Sequence, residues 1–529
     1  MDSPLEPQAN SEMTTLVLAM IGLGSIVLFR LVMSRPQGKP IPGPHGVPVL
    51  GNLLQLGGGR NWLTFTEWKK QYGDIVYLNM AGQDAILLNS SKVAADLLDR
   101  RAAIYSDRPK NVVCQILTGG LVFAFSQHND IWKVMRRAAA ETMSNSAMKS
   151  YEGPQEVEAT LLVHDLLKKP ADWDAHLSRA ANSLVLGTVY GMPPIRDHNN
   201  PDIAAVNLFV ERALHACAPG TFLVEYLTWM QHLPRWMSPW RQYAENSFNF
   251  YASLFERLYD DIKKRIAQGD ETPSVASTIY HDEKHLGVSD REAAWLSATL
   301  YAGASGTTSG QLTWLIVAMV LHPEAQKRAQ EEIDRVVGRD RMPTFKDFNQ
   351  LVYVRAFVKE VLRWRPVGPL GVPHRLDQDD VYDGYYFKKD TIFITNVWAM
   401  NHDLETWGPD ADDFVPERHL DEKGNLKPSV PDTKDESHHS FGFGRRICVG
   451  RNLARTSMFI YTACILWAFN VSPGTDERGN IILPDADAGI SDGLVVRPPD
   501  FPCKITPRYA DVPALVAHVK EMYGFAADA

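Results

Sequence analysis

The sequence predicts a mainly α-helical chain with small β-sheets, folded as one large domain behind an N-terminal membrane helix. Three observations predict it. Apolar residues recur at helical spacing over long stretches, the β-like runs are short and scattered, and one uncharged apolar run stands alone near the start. The composition agrees. Of 529 residues, 45% are hydrophobic and 22% are charged, enough for a large core and ordinary for a globular protein. The net charge of -9 argues against nucleic-acid binding, which rests on clustered Lys and Arg. Five scattered cysteines (Cys114, Cys217, Cys448, Cys464, Cys503) do not suggest a disulfide framework, so a reducing compartment is expected.

Taken in order, residues 1–12 carry Asp2, Glu6 and Glu12 and are expected on the lumenal side. From Met13 to Phe29 there is no charge; Arg30 interrupts the run and Leu31-Val32-Met33 continue it. A bilayer core needs about 20 apolar residues in a helix, and an arginine at one end can snorkel to the interface. Residues 13–33 are therefore expected to form a transmembrane anchor. A cleaved signal peptide or a buried helix is the alternative, but a signal peptide starts basic, whereas here Arg30, Arg35 and Lys39 follow the span. The positive-inside rule then leaves the bulk of the chain in the cytosol. Residues 34–50 hold Pro40, Pro42, Pro44 and Pro48 and are expected to form a stiff hinge.

Residues 51–529 show no internal repeat and no second-domain boundary. Short strands are expected at Ile75–Leu78, Ala85–Leu88, Thr391–Thr395 and near Leu494–Val496. A long helix is expected over Ser289–Leu321, opened by a capping box of Ser289 and Glu292, with another starting at Pro323. A short amphipathic helix fits the tail from Tyr509.

The strongest signal is Phe441-Gly-Phe-Gly-Arg-Arg-Ile-Cys-Val-Gly450, which fits F-x-x-G-x-R-x-C-x-G at every fixed position. Gly444 and Gly450 let backbone approach a flat macrocycle and turn into a helix. Cys448 offers a soft anionic ligand to iron, and Arg446 a fixed cation for a propionate. The helix that follows helps hold the thiolate at its N-terminus. The other four cysteines lack such a context and read as structural.

This loop resembles that of the cytochrome P450 family, and the chain looks most like the membrane-anchored microsomal class, over nearly its whole length. The resemblance implies the P450 fold, heme b (iron protoporphyrin IX) and Cys448 as its metal ligand, with Phe441, Gly444, Arg446 and Gly450 around it. It also implies a buried structural triad of Glu360, Arg363 and Arg418, from Glu360-Val-Leu-Arg363 and Pro416-Glu-Arg418. Trp132 and Arg136, at i and i+4, are expected to reach a propionate. His374 matches a further propionate-binding position, with Arg375 as the fallback. Lys133, Arg137, Arg451 and Arg455 are expected to dock an acidic electron donor.

In the long helix, Thr307 matches the family's oxygen-binding threonine, with Ser305 and Thr308 beside it. The family normally places an acid before this threonine; here Gly306 stands there, which leaves Ser305, Thr308, water or substrate to relay protons. The chain has no G-x-G-x-x-G fingerprint, so electrons are expected from NADPH through a separate cytochrome P450 reductase, with cytochrome b5 as a second donor. Substrate contacts are expected from the loop 111–125, from Tyr301, Ala304 and Ser305, and from Val367, Leu370, Val372, Leu494 and Val495. They are apolar, so a lipophilic small molecule is expected. The style of PERHL and GVPHRLDQDDVYDGY resembles fungal secondary-metabolism monooxygenases. The resemblance thus implies a monooxygenase using O2 in the endoplasmic reticulum membrane. Gly306 keeps open a haem-thiolate dehydratase, isomerase or coupling enzyme, and a sensor or carrier without turnover is the non-enzymatic alternative.

Overall fold

A computed structural model describes residues 38–56, 59–195, 201–218, 220–491 and 493–525. The expected lumenal segment, the anchor at 13–33 and the first hinge residues lie outside these. Among the described residues no helix is long and apolar enough to cross a membrane.

The longer helices are α1 (Asn61–Tyr72), α2 (Val112–Thr118), α3 (Asp130–Thr142), α4 (Glu152–Lys168), α5 (Trp173–Tyr190) and α6 (Pro201–Cys217). They continue as α7 (Pro239–Ala267), α8 (Asp290–Leu321), α9 (Pro323–Val336), α10 (Val352–Trp364), α11 (Arg451–Ala468) and α12 (Val512–Met522). The strands are β1 (Ile75–Met80), β2 (Gln83–Leu88), β3 (His374–Arg375), β4 (Asp380–Tyr382), β5 (Tyr385–Phe387) and β6 (Ile392–Thr395). Near the C-terminus follow β7 (Phe469–Thr475), β8 (Ile481–Ile482), β9 (Ile490–Ser491), β10 (Val496–Arg497) and β11 (Cys503–Pro507). The chain is mainly helical with small sheets.

Local chemistry sets the boundaries of α8 and α9. Ser289 Oγ accepts the Glu292 N–H (3.4 Å), and Glu292 Oε2 accepts the Ser289 N–H (2.7 Å), so the capping box closes. Pro323 occupies the first turn of α9, where its missing N–H costs nothing. In the largest sheet, ordered β1-β2-β6-β3, β1 and β2 are antiparallel and β6 runs parallel to β2. β3 pairs antiparallel with β6, and it holds His374 and Arg375 in place.

Two large apolar clusters make the core, and α8 runs through both. Leu312 and Trp314–Val320 belong to one, with Trp467, Phe357 and Leu184; Ala293, Trp295, Leu300 and Tyr301 belong to the other, with Phe209, Phe255 and Met135. Fully burying side chains of this size stabilises by about 1.5–3 kcal/mol each. Between the two, residues 302–308 carry only small side chains, so α8 is anchored at both ends and bare in the middle.

The described part of the hinge is docked on the folded domain. The Lys39 N–H donates to the Gly384 carbonyl (2.9 Å), and the Tyr77 N–H to the Pro42 carbonyl (2.8 Å). Residues 39–42 therefore belong physically to the globule.

Candidate active site

The cysteine loop is folded by its own backbone. The Cys448 N–H donates to the Phe441 carbonyl (2.8 Å), and the Gly450 N–H donates to the Cys448 sulfur. Gly450 is the residue before α11, so the thiol sits at that helix's N-terminus. Gly444 has φ +61°, and a Cβ there would lie 2.1 Å from the Leu98 carbonyl oxygen. Close approach to protein backbone therefore requires this glycine, where the sequence suggested approach to a macrocycle. Burial pushes the Cys448 thiol up, opposed by the Gly450 N–H and by Arg136 and Arg451. The side chain is nonetheless exposed.

The middle of α8 opens the same way. Gly303 and Gly306 are exposed and Thr307 is half-buried, at the i, i+3, i+4 spacing of one helix face. Thr307 Oγ1 donates to the Gly303 carbonyl (2.8 Å). Ala304 and Thr308 flank the stripe and are half-buried, while Ser305 is 4% exposed and lies on the opposite side. Val449, beside Cys448, and Ala302 and Ala304 of α8 pack against the same apolar cluster.

Near the loop, four basic side chains from four segments come together. Arg446 donates to the carbonyls of Ser106 (2.8 Å), Phe123 (2.9 Å) and Ser126 (2.8 Å), and its guanidinium lies 4.0 Å from the centroid of Trp132. Arg136 donates to the Ile447 carbonyl (2.5 Å). His374 Nδ1 bonds the Tyr105 carbonyl (2.8 Å). Arg108, which no motif pointed to, donates to the carbonyls of Ala124 (2.9 Å), Val372 (2.6 Å) and Pro373 (2.7 Å). Burial lowers Arg446 to about 8, with Arg108 adding to the effect, and burial with Arg136 lowers Arg108 to about 9. His374 is held well below its usual range by burial and then by Arg108. The nearby carboxylate, Asp107, accepts from Arg375 and from the N–H groups of Arg108 and His128 (both 2.8 Å). Buried cations that repel one another and keep so little counter-charge are a site for an anion.

One expectation changes here, and the fallback to His374 drops out. The Trp132 indole N–H is donated to the Phe123 carbonyl (3.0 Å) and so is spent within the protein; the ring serves as the platform under Arg446. Arg375 is tied to Asp107, Asp390 and Gln127 Oε1 (2.8 Å), so it is a structural cation and His374 is the group that faces the basic cluster.

Behind the loop, Glu360 is fully buried. It accepts from Arg363 Nε (2.8 Å) and Nη2 (2.7 Å), from Arg418 Nε (2.8 Å), from the Val415 N–H (2.9 Å) and from His419 Nε2 (2.9 Å). The structure brings the triad together and adds His419. Despite its burial, hydrogen bonds and the charges of Arg363 and His419 hold the Glu360 carboxyl far below the usual carboxylate range.

An accessible cysteine thiol, a helix face without large side chains and a cluster of buried basic groups are the parts of a site for an anionic cofactor held through sulfur. A family model for cytochrome P450 matches residues 41–499. The chain belongs to the cytochrome P450 family. The family implies a haem iron, and the basic cluster and the accessible thiol fit such a group. A cytochrome P450 monooxygenase of Armillaria gallica is 48% identical over 510 residues, covering 96% of this chain and 97% of that protein. Cytochrome P450 monooxygenase 58 of Postia placenta is 41% identical over 514 residues, 97% of each chain. Cytochrome P450 monooxygenase claR of Ampulloclitocybe clavipes is 36% identical over 516 residues, 96% of this chain and 94% of that protein. This P450 is thus a monooxygenase by family.

The remaining candidate residues divide. Val367, Leu370, Val372 and Leu494 are half-buried and come from the segments after α10 and before β10. Tyr301 is apart from them: it is fully buried, and its hydroxyl donates to Asn182 Oδ1 (2.8 Å) on α5. Helical geometry explains this, since Tyr301 and Ser305 lie one turn apart on the face turned away from the stripe. Of the basic residues expected at a docking face, Lys133 is exposed and pairs with Asp130 (2.9 Å), while Arg455 Nη2 donates to Asn145 Oδ1 (3.0 Å). Arg137 donates to the Leu286 carbonyl (2.6 Å), and Arg451 lies 3.9 Å from Glu436.

Proposed function

We propose that this P450 uses O2 and NADPH-derived electrons to hydroxylate or otherwise oxidise a lipophilic small molecule, in secondary-metabolite biosynthesis. It carries heme b and takes electrons from a cytochrome P450 reductase, with cytochrome b5 as a second donor. It is anchored by residues 13–33 in the endoplasmic reticulum membrane with its catalytic domain in the cytosol. The observation that carries the reading is the accessible Cys448 thiol in a chain whose α8 is bare over Gly303–Thr307 and whose Arg108, Arg136, His374 and Arg446 cluster near the cysteine loop.

In this reading Cys448 is the iron ligand, Arg108, Arg136 and Arg446 neutralise the propionates, and His374 stands beside them as a neutral ring. When bound, the haem supplies reductive activation of O2 and oxidation of a carbon–hydrogen bond. The protein's own contributions are positional. Gly450 and the N-terminus of α11 stabilise the sulfur as an anion. The small residues of α8 leave room above the macrocycle, and the Thr307 hydroxyl, directed by the Gly303 carbonyl, holds a proton at Oγ1 beside that room. Half-buried Ala304, Val367, Leu370, Val372 and Leu494 present an apolar surface to substrate and exclude water.

The test is the visible spectrum of dithionite-reduced protein under carbon monoxide, wild type beside Cys448→Ser. A strongly red-shifted Soret band in the wild type alone supports the thiolate ligand. A band that Cys448→Ser leaves unchanged removes it. Removing residues 1–33 is expected to move the protein from the membrane pellet to the supernatant.

Gly306 favours one second reading, a haem-thiolate dehydratase, isomerase or coupling enzyme that inserts no oxygen. Product formed under oxygen-18 gas carries the label in the first reading and none in the second.

A further inference from the structure

We infer that Gly310 sets the size of the substrate space, by seating the Val367 and β10 segments directly on α8. The inference rests on the substrate space proposed above. Gly303, Gly306, Thr307 and Gly310 fall at i, i+3, i+4 and i+7 and so share one face of α8. The first three are open: a Cβ at Gly303 or Gly306 would meet no atom within 4 Å. At Gly310 the opening ends. A Cβ there would lie 3.2 Å from Val495 Cγ1, 3.3 Å from Arg497 Cγ and 3.4 Å from Val367 Cγ1. Three side chains thus close on Gly310, where α8 offers no side chain of its own.

The closing wall is fixed in place. The Val496 N–H donates to the Val367 carbonyl (2.8 Å), tying the two segments to each other. The Trp314 indole N–H donates to the Val496 carbonyl (2.9 Å). Arg497 Nη2 reaches Asp174 Oδ1 (2.5 Å) on α5 and Thr313 Oγ1 (2.9 Å) on α8. Behind the wall Trp314 and Val496 are buried, so an added methyl group finds no room there. Val495 and Val367 then give way toward the open stripe, and the substrate space shrinks.

The test uses the full-length holoenzyme and two azole probes that differ in bulk, imidazole and 4-phenylimidazole, titrated by the shift of the Soret band. In Gly310→Ala, imidazole affinity is expected to stay within about twofold of wild type, while 4-phenylimidazole weakens about tenfold, the size of a typical overpacking penalty. Alanine favours a helix over glycine, so α8 is expected to be retained. Adding Val495→Ala to Gly310→Ala makes room for the methyl group and is expected to restore the larger probe. An unchanged ratio of the two affinities in Gly310→Ala overturns the inference. Val495→Ala alone keeps it testable should Gly310→Ala not fold: the ratio is expected to move in favour of 4-phenylimidazole, and no movement overturns the inference. A wild-type protein that shows no Soret shift with imidazole overturns the haem reading itself, and this inference with it.

Discussion

Arg446 and Trp132 share an acceptor: Arg446 Nη1 and the Trp132 indole N–H both donate to the Phe123 carbonyl, while the guanidinium lies 4.0 Å from the Trp132 ring centroid. One carbonyl and one ring thus fix the cation, and the indole N–H has no part left for a cofactor. A desolvated cation–π contact is worth about 2 kcal/mol, and the ring supplies most of it. Trp132→Phe keeps a ring and is expected to weaken haem retention slightly. Trp132→Leu removes the platform and is expected to speed haem loss about tenfold or more, read as the rate of haem transfer to apomyoglobin. Equal effects of the two substitutions would show that the N–H, and not the ring, matters.

Glu360 is the centre of the second prediction. It is fully buried among Arg363, Arg418, His419 and the Val415 N–H. Removing one partner of such a group leaves a charge uncompensated, at a cost of about 3–5 kcal/mol. Glu360→Gln is therefore expected to lower the urea midpoint sharply. Its carboxyl is held below the usual range, so its stabilisation is present above the unfolded value near pH 4.3 and is lost only as pH falls through the lower folded one. The midpoint of Glu360→Gln should therefore lie below that of wild type at every pH from 5 to 7.

The cysteine loop, the Glu360–Arg363 pair and the capping box of α8 were legible because each is local. Its residues lie within a few positions, and their spacing carries the chemistry. Arg108 was not, since its role comes from the segments of Ala124 and Val372 folding over it. His419 gave one signal, its place next to Arg418 in the Pro416–His419 turn, which lets both side chains reach the same carboxylate. Tyr301 and Ser305 were assigned to the pocket by nearness in sequence to Thr307. The rotation of α8 decides their direction, and it is set by contacts such as Tyr301 with Asn182, far away in the chain. Gly444 was legible as a required glycine but not for its reason, because the Leu98 carbonyl approaches from another part of the fold.

Two buried histidines give a pH signature. Burial lowers His402 to about 3, with Arg363 adding to it, and lowers His439 to about 4. His402 stacks on Trp398 (4.2 Å between centroids), and His439 stacks on Phe443 (5.2 Å) while bonding Ser91 Oγ (2.7 Å). An unfolded histidine takes a proton near pH 6.5, so below that the unfolded chain binds more protons. Stability is therefore full above about pH 6.5 and falls as pH drops toward 4, by on the order of 3 kcal/mol for each ring. Urea unfolding at pH 7, 6 and 5 should show the decline, and His439→Gln should make it shallower by the share of that one ring. An equal slope in that variant would place the titration elsewhere.

Thr307 and Ser305 separate the two faces of α8 experimentally. Thr307 stands on the open stripe, with Oγ1 donating to the Gly303 carbonyl, whereas Ser305 is 4% exposed on the opposite side. No acid precedes Thr307, so Thr307 is the hydroxyl that the open face offers for proton handling, together with its half-buried neighbour Thr308. Thr307→Ala is expected to keep its haem and its thiolate spectrum while product formed per NADPH consumed falls about tenfold, within the usual contribution of a positioned proton donor. Thr307→Ser keeps the hydroxyl and should recover most of the coupling. Ser305→Ala should leave coupling near wild type, because no proton route on the open face passes through a side chain turned toward α5. The check is the ratio of product to NADPH oxidised, with released peroxide measured beside it. Coupling lost in Ser305→Ala and kept in Thr307→Ala would move the relay to the buried face and require the helix to open there during turnover.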